Sequence, residues 1–320
     1  MSERNFISDS LKLFKKQSSE NLLYRDFIKQ LGVDPSSIDS IQKIPFLPIS
    51  FFKSHVIQTG AFKPAIYFES SGTTGSLNSK HGIKNLDAYL SNTVENFMEF
   101  YGDPSGYCFL GLLPSYLERG NSSLVAMVDH FIKLSNHPLS GFFLHDFEHL
   151  HQVLKTLELQ KQKTILIGVT YALLDFVESF PIQLRHTLVM ETGGMKGRKT
   201  EITRAALHQI LKKGFGIQQV HAEYGMTEFM SQAYSKGEGI FYPPSSMKIF
   251  LRSPDDPFEI WKSDEHIMRT GVINTIDLAN EDSIAFIATA DLARFTGNGG
   301  FELLGRLDNS DMRGCSLLTA

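Results

Sequence analysis

The chain has 320 residues, of which 42% are hydrophobic and 21% are charged, and its length allows one large domain or two smaller ones. A formal net charge of −4 provides no general basic surface, so we expect no nucleic-acid partner and no anionic membrane as the main target. The sequence has no basic-then-apolar signal pattern and no run of 18 apolar residues, so we expect a cytoplasmic protein without a membrane span.

The first 64 residues are predicted to be helical and then extended. Apolar positions recur at helical spacing through residues 3–31, which predicts one or two helices that end near Gly32. Residues 44–52 are apolar but contain Pro45 and Pro48, so they cannot form a central strand. We expect this stretch to be an extended segment that packs on the core.

A loop rich in glycine and hydroxyl groups follows the apolar run of residues 65–68, and a helix-like segment is expected after it. The loop residues are Ser70, Ser71, Gly72, Thr73, Thr74, Gly75 and Ser76. Glycine lets backbone N–H groups approach an anion, hydroxyl groups donate to it, and a helix N-terminus adds a positive dipole end. The pattern indicates a phosphate-binding loop that is not of the Walker A type, and the alternative is a solvated Ser/Gly loop.

Strands and helices alternate between residues 105 and 220, and this pattern predicts a largely parallel sheet covered by helices. The predicted strands are 107–113, 141–144, 163–169, 187–190 and 217–220. The predicted helices are 85–100, 122–134, 147–159, 171–179 and 200–212, the last of them closed by Gly214. Because ligands bind outside the carboxyl ends of the strands in such sheets, the loops 192–197 and 222–228 are candidate binding loops.

The second of these loops carries Tyr224, Gly225, Met226, Thr227 and Glu228 after the predicted strand. Together they offer an aromatic face, a hydroxyl group and a carboxylate. A nucleotide needs a stacking surface, a donor to phosphate and a metal ligand. The same residue types also meet by chance in many loops, so the pattern alone does not identify a site.

From about residue 240 the pattern changes to short strand-like runs between Pro, Gly, Asp and Asn, which predicts an antiparallel sheet or a barrel-like cap. The runs are 247–251, 270–273, 283–287 and 300–304. Asp291 is placed just past the apolar strand 284–288. There its carboxylate can accept hydrogen bonds from vicinal ribose hydroxyls, or it can be an ordinary turn aspartate.

The two cysteines form no disulfide framework and no zinc pattern, and the 11 histidines show no metal-ligand spacing. Cys315 lies near Arg313 among small residues, where the cation would favour the thiolate and make the sulfur a nucleophile. The alternative is a cysteine without a role. That interpretation is stronger for Cys108, which falls in a predicted buried strand.

Four of these stretches, in this order, resemble motifs of the adenylate-forming superfamily, which contains acyl-CoA synthetases, peptide-synthetase adenylation domains and luciferases. The loop from Ser70 to Ser76 resembles its phosphate loop, and residues 222–228 resemble its Y-G-x-T-E motif. Thr289-Ala290-Asp291 resembles its ribose-binding T-x-D. Gly305-Arg306-Leu307-Asp308 resembles the G-R-x-D hinge that precedes its mobile C-terminal lid.

The resemblance implies that the chain binds ATP and Mg²⁺ and activates a carboxylic acid as an acyl-adenylate. The residues that would bind ATP are Ser70, Ser71, Gly72, Thr73, Thr74, Gly75, Ser76, Gly193, Gly194, Tyr224, Gly225, Asp291 and Arg306. Adenine would lie between Tyr224 and the backbone of residues 193–194, and Asp291 would bind ribose. Thr227 would contact phosphate, and Glu228 would hold the metal ion.

The closer resemblance is to the acyl-protein synthetase family (LuxE type), through the loop 192–197, the ending 313–317 and the short distance between the hinge and Ala320. It implies a fatty acid as substrate, a thioester on Cys315 and an acyl reductase or another acceptor protein as partner. It also implies that the lid domain and its catalytic lysine are missing.

The missing lysine is one departure from the superfamily, and Asn78 in place of its usual Lys or Arg is another. Losing one donor to a developing charge typically lowers the rate by roughly 10²–10³, so another cation must substitute or the enzyme is slow. The candidates are Lys80, Lys196, Arg198 and Arg306, or a partner protein. We assign catalysis to Cys315, Thr227, Glu228 and Lys80.

We therefore predict an α/β fold: a single adenylation domain over residues 1–320, with mostly parallel, helix-covered sheets and a C-terminal antiparallel, barrel-like portion. Its parts would be residues 1–64, a sheet core over 65–238 and a β-rich part over 239–320. Two alternative functions stay open. One is a ligase that forms CoA thioesters or loads a carrier protein, and the other is a nucleotide-binding module without turnover.

Overall fold

The computed structural model of the chain describes residues 3–70, 78–114, 121–193, 202–261 and 268–307. Within these ranges the chain forms two large sheets and one two-stranded hairpin. No helix in the same ranges is long and apolar enough to cross a membrane. The mixed α/β architecture with a curled antiparallel sheet toward the C-terminus confirms the predicted fold class.

The N-terminal segment contains helices α1 (Glu3–Glu20) and α2 (Leu22–Gln30), the short strand β1 (Leu47–Pro48) and the single-turn helix α3 (Phe51–Ser54). Polar side chains tie the helices to a distant part of the chain. Gln17 Nε2 donates to the carbonyl of Asn280 at 2.9 Å, and Asn21 Nδ2 donates to the carbonyl of Ser283 at 3.0 Å. The two predicted N-terminal helices are confirmed.

The hydroxyl- and glycine-rich loop belongs to a hairpin of strands β2 (Ile66–Glu69) and β3 (Lys80–Ile83). The predicted order of strand, loop and helix is therefore wrong, because a second strand intervenes before helix α4 (Leu86–Tyr101). Asn85 caps that helix by accepting from the backbone N–H of Ala88. A helix dipole consequently does not follow the loop directly.

The first large sheet contains strands β4 (Cys108–Leu112), β5 (Gly141–Phe142), β6 (Thr164–Val169), β7 (Thr187–Thr192), β8 (His221–Tyr224) and β9 (Ala233–Ser235). Their order is β5-β4-β6-β7-β8-β9, and all neighbours are parallel except β8 and β9. Every residue of β4 and β6 is buried, as expected where helices cover both faces of a parallel sheet.

The remaining helices are α5 (Ser123–Ser135), α6 (Phe147–Leu159), α7 (Thr170–Ser179) and α8 (Arg204–Phe215). Helix α8 starts later than predicted because Thr203 caps it, accepting from the N–H of Ala206. It ends at Gly216, whose φ of +63° suits glycine, and not at Gly214 as predicted.

The second large sheet contains strands β10 (Ile240–Phe241), β11 (Met247–Arg252), β12 (Ile260–Trp261), β13 (Thr270–Asp277), β14 (Phe286–Phe295) and β15 (Phe301–Arg306). Their order is β10-β15-β14-β13-β11-β12, with antiparallel neighbours, and β1 lies parallel to β14. The predicted antiparallel sheet is confirmed. Asp291, however, lies inside β14 and not past its end, because this strand continues for several residues beyond the predicted one.

The strand that precedes the tyrosine motif also lies elsewhere than predicted. Residues 217–220 are not in a strand, and β8 begins at His221 and runs to Tyr224. The predicted stretch, Ile217-Gln218-Gln219-Val220, has two apolar ends, whereas β8 alternates polar and apolar residues that are all buried. Tyr224 is therefore held in a sheet and not in a loop.

Candidate nucleotide site

The two sheets meet at β8. Ala222 and Tyr224 face the core of the second sheet, where the Tyr224 ring lies 6.1 Å from the Phe241 ring. Side chains alternate along a strand, so His221 and Glu223 face the other way. This end of β8 is a carboxyl end of the parallel sheet, where ligands bind in such folds.

Three predicted site residues form one cluster at this junction. The hydroxyl of Tyr224 donates to Asp291 Oδ2 at 2.8 Å, and Arg306 Nε lies 3.0 Å from Asp291 Oδ1. Asp291 and Arg306 are cross-strand partners in β14 and β15. Asp291 is only 5% exposed, so one buried carboxylate joins a tyrosine from the first sheet to an arginine from the second.

The Tyr224 ring is itself 5% exposed and lies within 6.2 Å of the rings of Phe229, Phe241 and Phe301. Its edge-to-face contacts with these rings fix the direction of the hydroxyl group. The geometry assigns Tyr224 the role of donor to Asp291. Stacking of adenine on Tyr224 stays a prediction.

The Thr227-Glu228 turn follows directly and is held through its backbone. His81 Nδ1 lies 2.9 Å from the carbonyl oxygen of Thr227, and Asn280 Nδ2 donates to the carbonyl of Glu228 at 2.9 Å. A carbonyl oxygen only accepts, so the His81 proton lies on Nδ1. Burial lowers the pKa of His81 to about 4, which keeps the ring neutral. The side chain of Thr227 is half-buried and that of Glu228 is buried.

The base of the predicted phosphate loop is closed by two hydrogen bonds between the same residues. Ser70 N–H donates to the carbonyl of Ser79 at 3.0 Å, and Ser79 N–H donates to Ser70 Oγ at 2.9 Å. The predicted residues 71–76 lie outside the described ranges. Lys80, a predicted catalytic cation, forms an exposed ion pair with Glu69 at 3.2 Å.

Glu223 precedes Tyr224 and is 7% exposed on the opposite face of β8. Thr192 Oγ1 donates to Glu223 Oε2 at 2.5 Å, but burial raises the pKa of the Glu223 carboxyl to about 7. A Cβ atom on Gly225 would lie 2.4 Å from Glu223 Oε1, so glycine at position 225 leaves room for the carboxyl group. A carboxyl that titrates near neutral pH thus lies beside the predicted nucleotide loops.

Glu191 lies on the neighbouring strand and is held as a buried ion. Arg204 Nε lies 3.0 Å and His208 Nε2 3.6 Å from Glu191 Oε1. Burial alone would raise the pKa of Glu191, but Arg204 and His208 outweigh it and lower the pKa. Below neutral pH, the carboxyl group of Glu191 near the end of β7 is therefore ionised, and that of Glu223 near the end of β8 is largely protonated.

Gly193 directly follows β7 and has a φ of +68°. Its carbonyl oxygen accepts a hydrogen bond from Thr170 Oγ1 at 3.1 Å. The predicted residues Gly194, Lys196, Arg198 and Cys315 lie outside the described ranges. Among the described residues, no group of three or more His, Cys, Asp or Glu side chains is arranged to hold a metal ion. Glu228, the predicted metal ligand, is buried in the turn that follows β8.

Sequence reasoning missed four groups that shape this junction, namely His81, Glu223, Arg204 and Asn280. Each is polar and mostly buried, and each contacts a partner far away along the chain. A signal existed for Glu223, which directly precedes the tyrosine motif. Nothing in the sequence near His81 or Asn280 indicates that both side chains hold the same turn.

No protein-family model and no curated protein matches the chain. Three solved structures with similar folds are McyG A-PCP complexed with phenylalanyl-adenylate, a malonyl-CoA ligase ternary product complex with methylmalonyl-CoA and AMP bound, and the O-succinylbenzoate coenzyme A synthetase of Bacillus subtilis with ATP and magnesium ion. Their TM-scores are 0.54, 0.52 and 0.51, and their identities are 12%, 16% and 15%.

The alignments cover 88%, 77% and 96% of this chain and 51%, 53% and 65% of the three structures, in the same order. The chain thus spans about half to two thirds of their length. The three proteins are members of the adenylate-forming superfamily. At these identities the likeness establishes the fold, and the chain has the fold of that superfamily's large domain.

Proposed function

We propose that the chain activates a carboxylic acid with ATP and Mg²⁺ as an acyl-adenylate and then carries the acyl group on Cys315 as a thioester. The observation that carries the first half is the buried cluster of Tyr224, Asp291 and Arg306. These residues belong to three separate sequence motifs, and Tyr224 and Arg306 both contact the carboxylate of Asp291. Proteins of the same fold contain phenylalanyl-adenylate, AMP, or ATP with magnesium, which supports the proposal.

Asp291 would hold the nucleoside end of ATP. A carboxylate has about four acceptor positions; the Tyr224 hydroxyl donates to one of them, and Arg306 forms an ion pair with the other oxygen. The remaining positions can accept from the vicinal hydroxyls of a ribose. Because both neighbours also fix the orientation of the carboxylate, the ribose would bind to a preorganised acceptor.

The phosphates would lie on the loop between Ser70 and Ser79 and on the hydroxyl of Thr227. Mg²⁺ in nucleotide sites is usually held by one or two carboxylates together with phosphate oxygens and water. The single buried carboxylate of Glu228 fits this donor set. When bound, the ion would neutralise charge on the phosphates.

In the first step, an oxygen of the acid's carboxylate forms a bond to the α-phosphorus of ATP. The bond from that phosphorus to the bridging oxygen breaks, and pyrophosphate leaves with the electron pair. Positioning and charge neutralisation carry such displacements. Among the described residues, we assign Arg306 and Lys80 to neutralise the negative charge on the phosphates.

In the second step, the thiolate of Cys315 attacks the acyl carbon of the adenylate. The carbon–oxygen bond to AMP breaks, and AMP leaves with the electron pair. The resulting thioester would pass its acyl group to an acceptor, for which a reductase is the assignment taken from the family resemblance. The assignment of a fatty acid as the substrate is likewise taken from the family resemblance.

The test is the intact mass of the protein after incubation with Mg-ATP and a mixture of fatty acids, with and without hydroxylamine. We expect an acyl mass that hydroxylamine removes and that is absent from Cys315→Ser. The Cys315→Ser variant should still release pyrophosphate. An adduct of equal yield in Cys315→Ser would refute the thioester assignment, and no pyrophosphate with any acid would refute the adenylation.

The matched control is Cys108→Ala, which removes the other cysteine. The Cys108 thiol is buried in β4, where it accepts from Ser140 Oγ at 3.5 Å, and burial raises its pKa. We expect this variant to keep the adduct. Loss of the adduct in Cys108→Ala, and not in Cys315→Ser, would exchange the roles of the two thiols.

A second candidate function is a ligase that delivers the acyl group to a soluble thiol such as CoA. It is favoured by two proteins of similar fold, a malonyl-CoA ligase and a coenzyme A synthetase. Pyrophosphate release without a protein adduct, together with CoA-dependent consumption of the adenylate, would establish it. ATP binding without pyrophosphate formation would instead indicate a nucleotide-binding module.

A further inference from the structure

His81 lies two residues after Ser79, which closes the base of the loop, and it is 1% exposed. Its Nδ1–H donates to the carbonyl of Thr227 at 2.9 Å, across 146 residues of sequence. A side-chain hydrogen bond also joins His81 to Asn280. One imidazole therefore links the hairpin that carries the hydroxyl-rich loop to the turn that carries Thr227 and Glu228.

The turn is held firmly on its other side. Asn280 donates to the carbonyl of Glu228, and Asp277 Oδ2 accepts from the N–H groups of Met230 at 2.8 Å and Ser231 at 3.0 Å. These contacts join the turn to the second sheet. The hydrogen bond of His81 joins the same turn to strand β3 of the hairpin, beside the packing of Met230 against the hairpin cluster.

The ring of His81 is fixed by its own packing. It meets the Phe52 ring at an interplanar angle of 78°, with 5.5 Å between ring centroids, and Phe68 is its cross-strand partner in the hairpin. Both phenylalanines are buried. A ring that is held in this way loses little conformational entropy when it makes its hydrogen bond, so it acts as a rigid spacer.

We propose that His81 is a positioning residue that fixes the hairpin of β2 and β3 relative to Thr227 and Glu228, the turn to which the phosphates and the metal ion are assigned. This inference rests on the proposed function, because the nucleotide is what the two elements would share. His81 acts through the Thr227 carbonyl and touches neither substrate. Displacing a catalytic element by about 1 Å can lower the rate by roughly 10²-fold, and this is the size of effect expected.

The test compares three variants. His81→Leu removes the donor, and His81→Asn keeps an N–H donor near the position of Nδ1. Ile83→Val weakens the packing of the same hairpin at the residue opposite Ile66, two positions from His81. Mg-ATP binding is measured by titration calorimetry, and KM for ATP and kcat are measured by ATP–pyrophosphate exchange. Thermal unfolding reports the stability of each variant.

We expect His81→Leu to lower kcat/KM for ATP by on the order of 10²-fold and to weaken Mg-ATP binding, with His81→Asn recovering most of both. Ile83→Val should lower the unfolding temperature and leave KM for ATP unchanged. If His81→Leu and Ile83→Val have the same profile, or if His81→Asn recovers nothing, the positioning role is overturned.

The binding measurement separates this inference from the proposed function. A wild type that binds Mg-ATP but shows no exchange with any acid would refute acid activation. Weaker Mg-ATP binding by His81→Leu would in that case still support the positioning role. A wild type that binds no Mg-ATP would overturn both.

Discussion

Replacing Glu223 by Gln should change the pH dependence of stability in a direction that the structure fixes. The carboxyl group is 7% exposed, and burial raises its pKa from 4.5 to about 7. The amide is similar in shape and can still accept the hydrogen bond of Thr192. It carries no titrating proton, so the variant removes the ionisation and little else.

The magnitude follows from proton linkage. Between pH 4.5 and about 7 the folded chain keeps a proton on Glu223 that the unfolded chain has released, so the stability of the wild type falls as pH rises through this window. One pKa unit corresponds to about 1.4 kcal/mol, and the loss of stability levels off once the pH exceeds the pKa of Glu223 in the folded chain. From pH 5 to pH 8, the free energy of unfolding of Glu223→Gln relative to the wild type should increase by about 2–3 kcal/mol.

The assay is urea unfolding of both proteins at several pH values from 5 to 8. The contribution of Asp277, whose pKa burial also raises, cancels in the difference. Glu191→Gln is the matched control from the next strand. Because the pKa of Glu191 is lowered from 4.5, its ionisation affects stability mainly below pH 5, and the difference between this variant and the wild type should stay nearly constant from pH 5 to 8. A difference for Glu223→Gln that stays constant over this range would refute the reasoning.

Three further changes have expected outcomes. Asp291→Asn should weaken Mg-ATP binding by about tenfold or more in calorimetry, because the ribose acceptor loses its charge, and unchanged binding would contradict this role. Arg204→Met should lower the free energy of urea unfolding by about 3 kcal/mol because Glu191 stays buried with only His208 beside it, and a neutral effect would show that the ion pair contributes nothing. Gly225→Ala should destabilise the fold by about 1–3 kcal/mol, since its Cβ meets Glu223 Oε1, and Glu223→Ala should relieve most of this in a double variant.

The parallel sheet was predictable because its strands are fully buried. Residues 165–169 are without charged or polar side chains, and the strand Thr164–Val169 is buried throughout. The cluster of Tyr224, Asp291 and Arg306 was predictable only as separate motifs. Its geometry depends on the pairing of β14 with β15, which no local pattern specifies.

The strand β8 was predicted in the wrong place because its polar residues have distant partners. His221 is hydrogen-bonded to the hydroxyl of Tyr101 at 3.1 Å, and Glu223 is hydrogen-bonded to Thr192. A buried polar residue is tolerated when it is paired, and the pair is a property of the folded chain. The polar residues His221 and Glu223 gave no local sign of burial, and the strand was predicted at residues 217–220, where the backbone forms no strand.

The attachment of helix α1 to the second sheet has a consequence for synthesis. Gln17 bonds to Asn280 across 263 residues, and that same Asn280 holds the carbonyl of Glu228. At about 5–20 residues per second, the ribosome needs roughly 13–53 s to make the intervening chain. During that time the apolar face of α1 has no sheet to cover, so chaperone binding is expected to be concentrated on the nascent N-terminal segment. The turn at Thr227 and Glu228 reaches its final position only when the first and last parts of the chain have met.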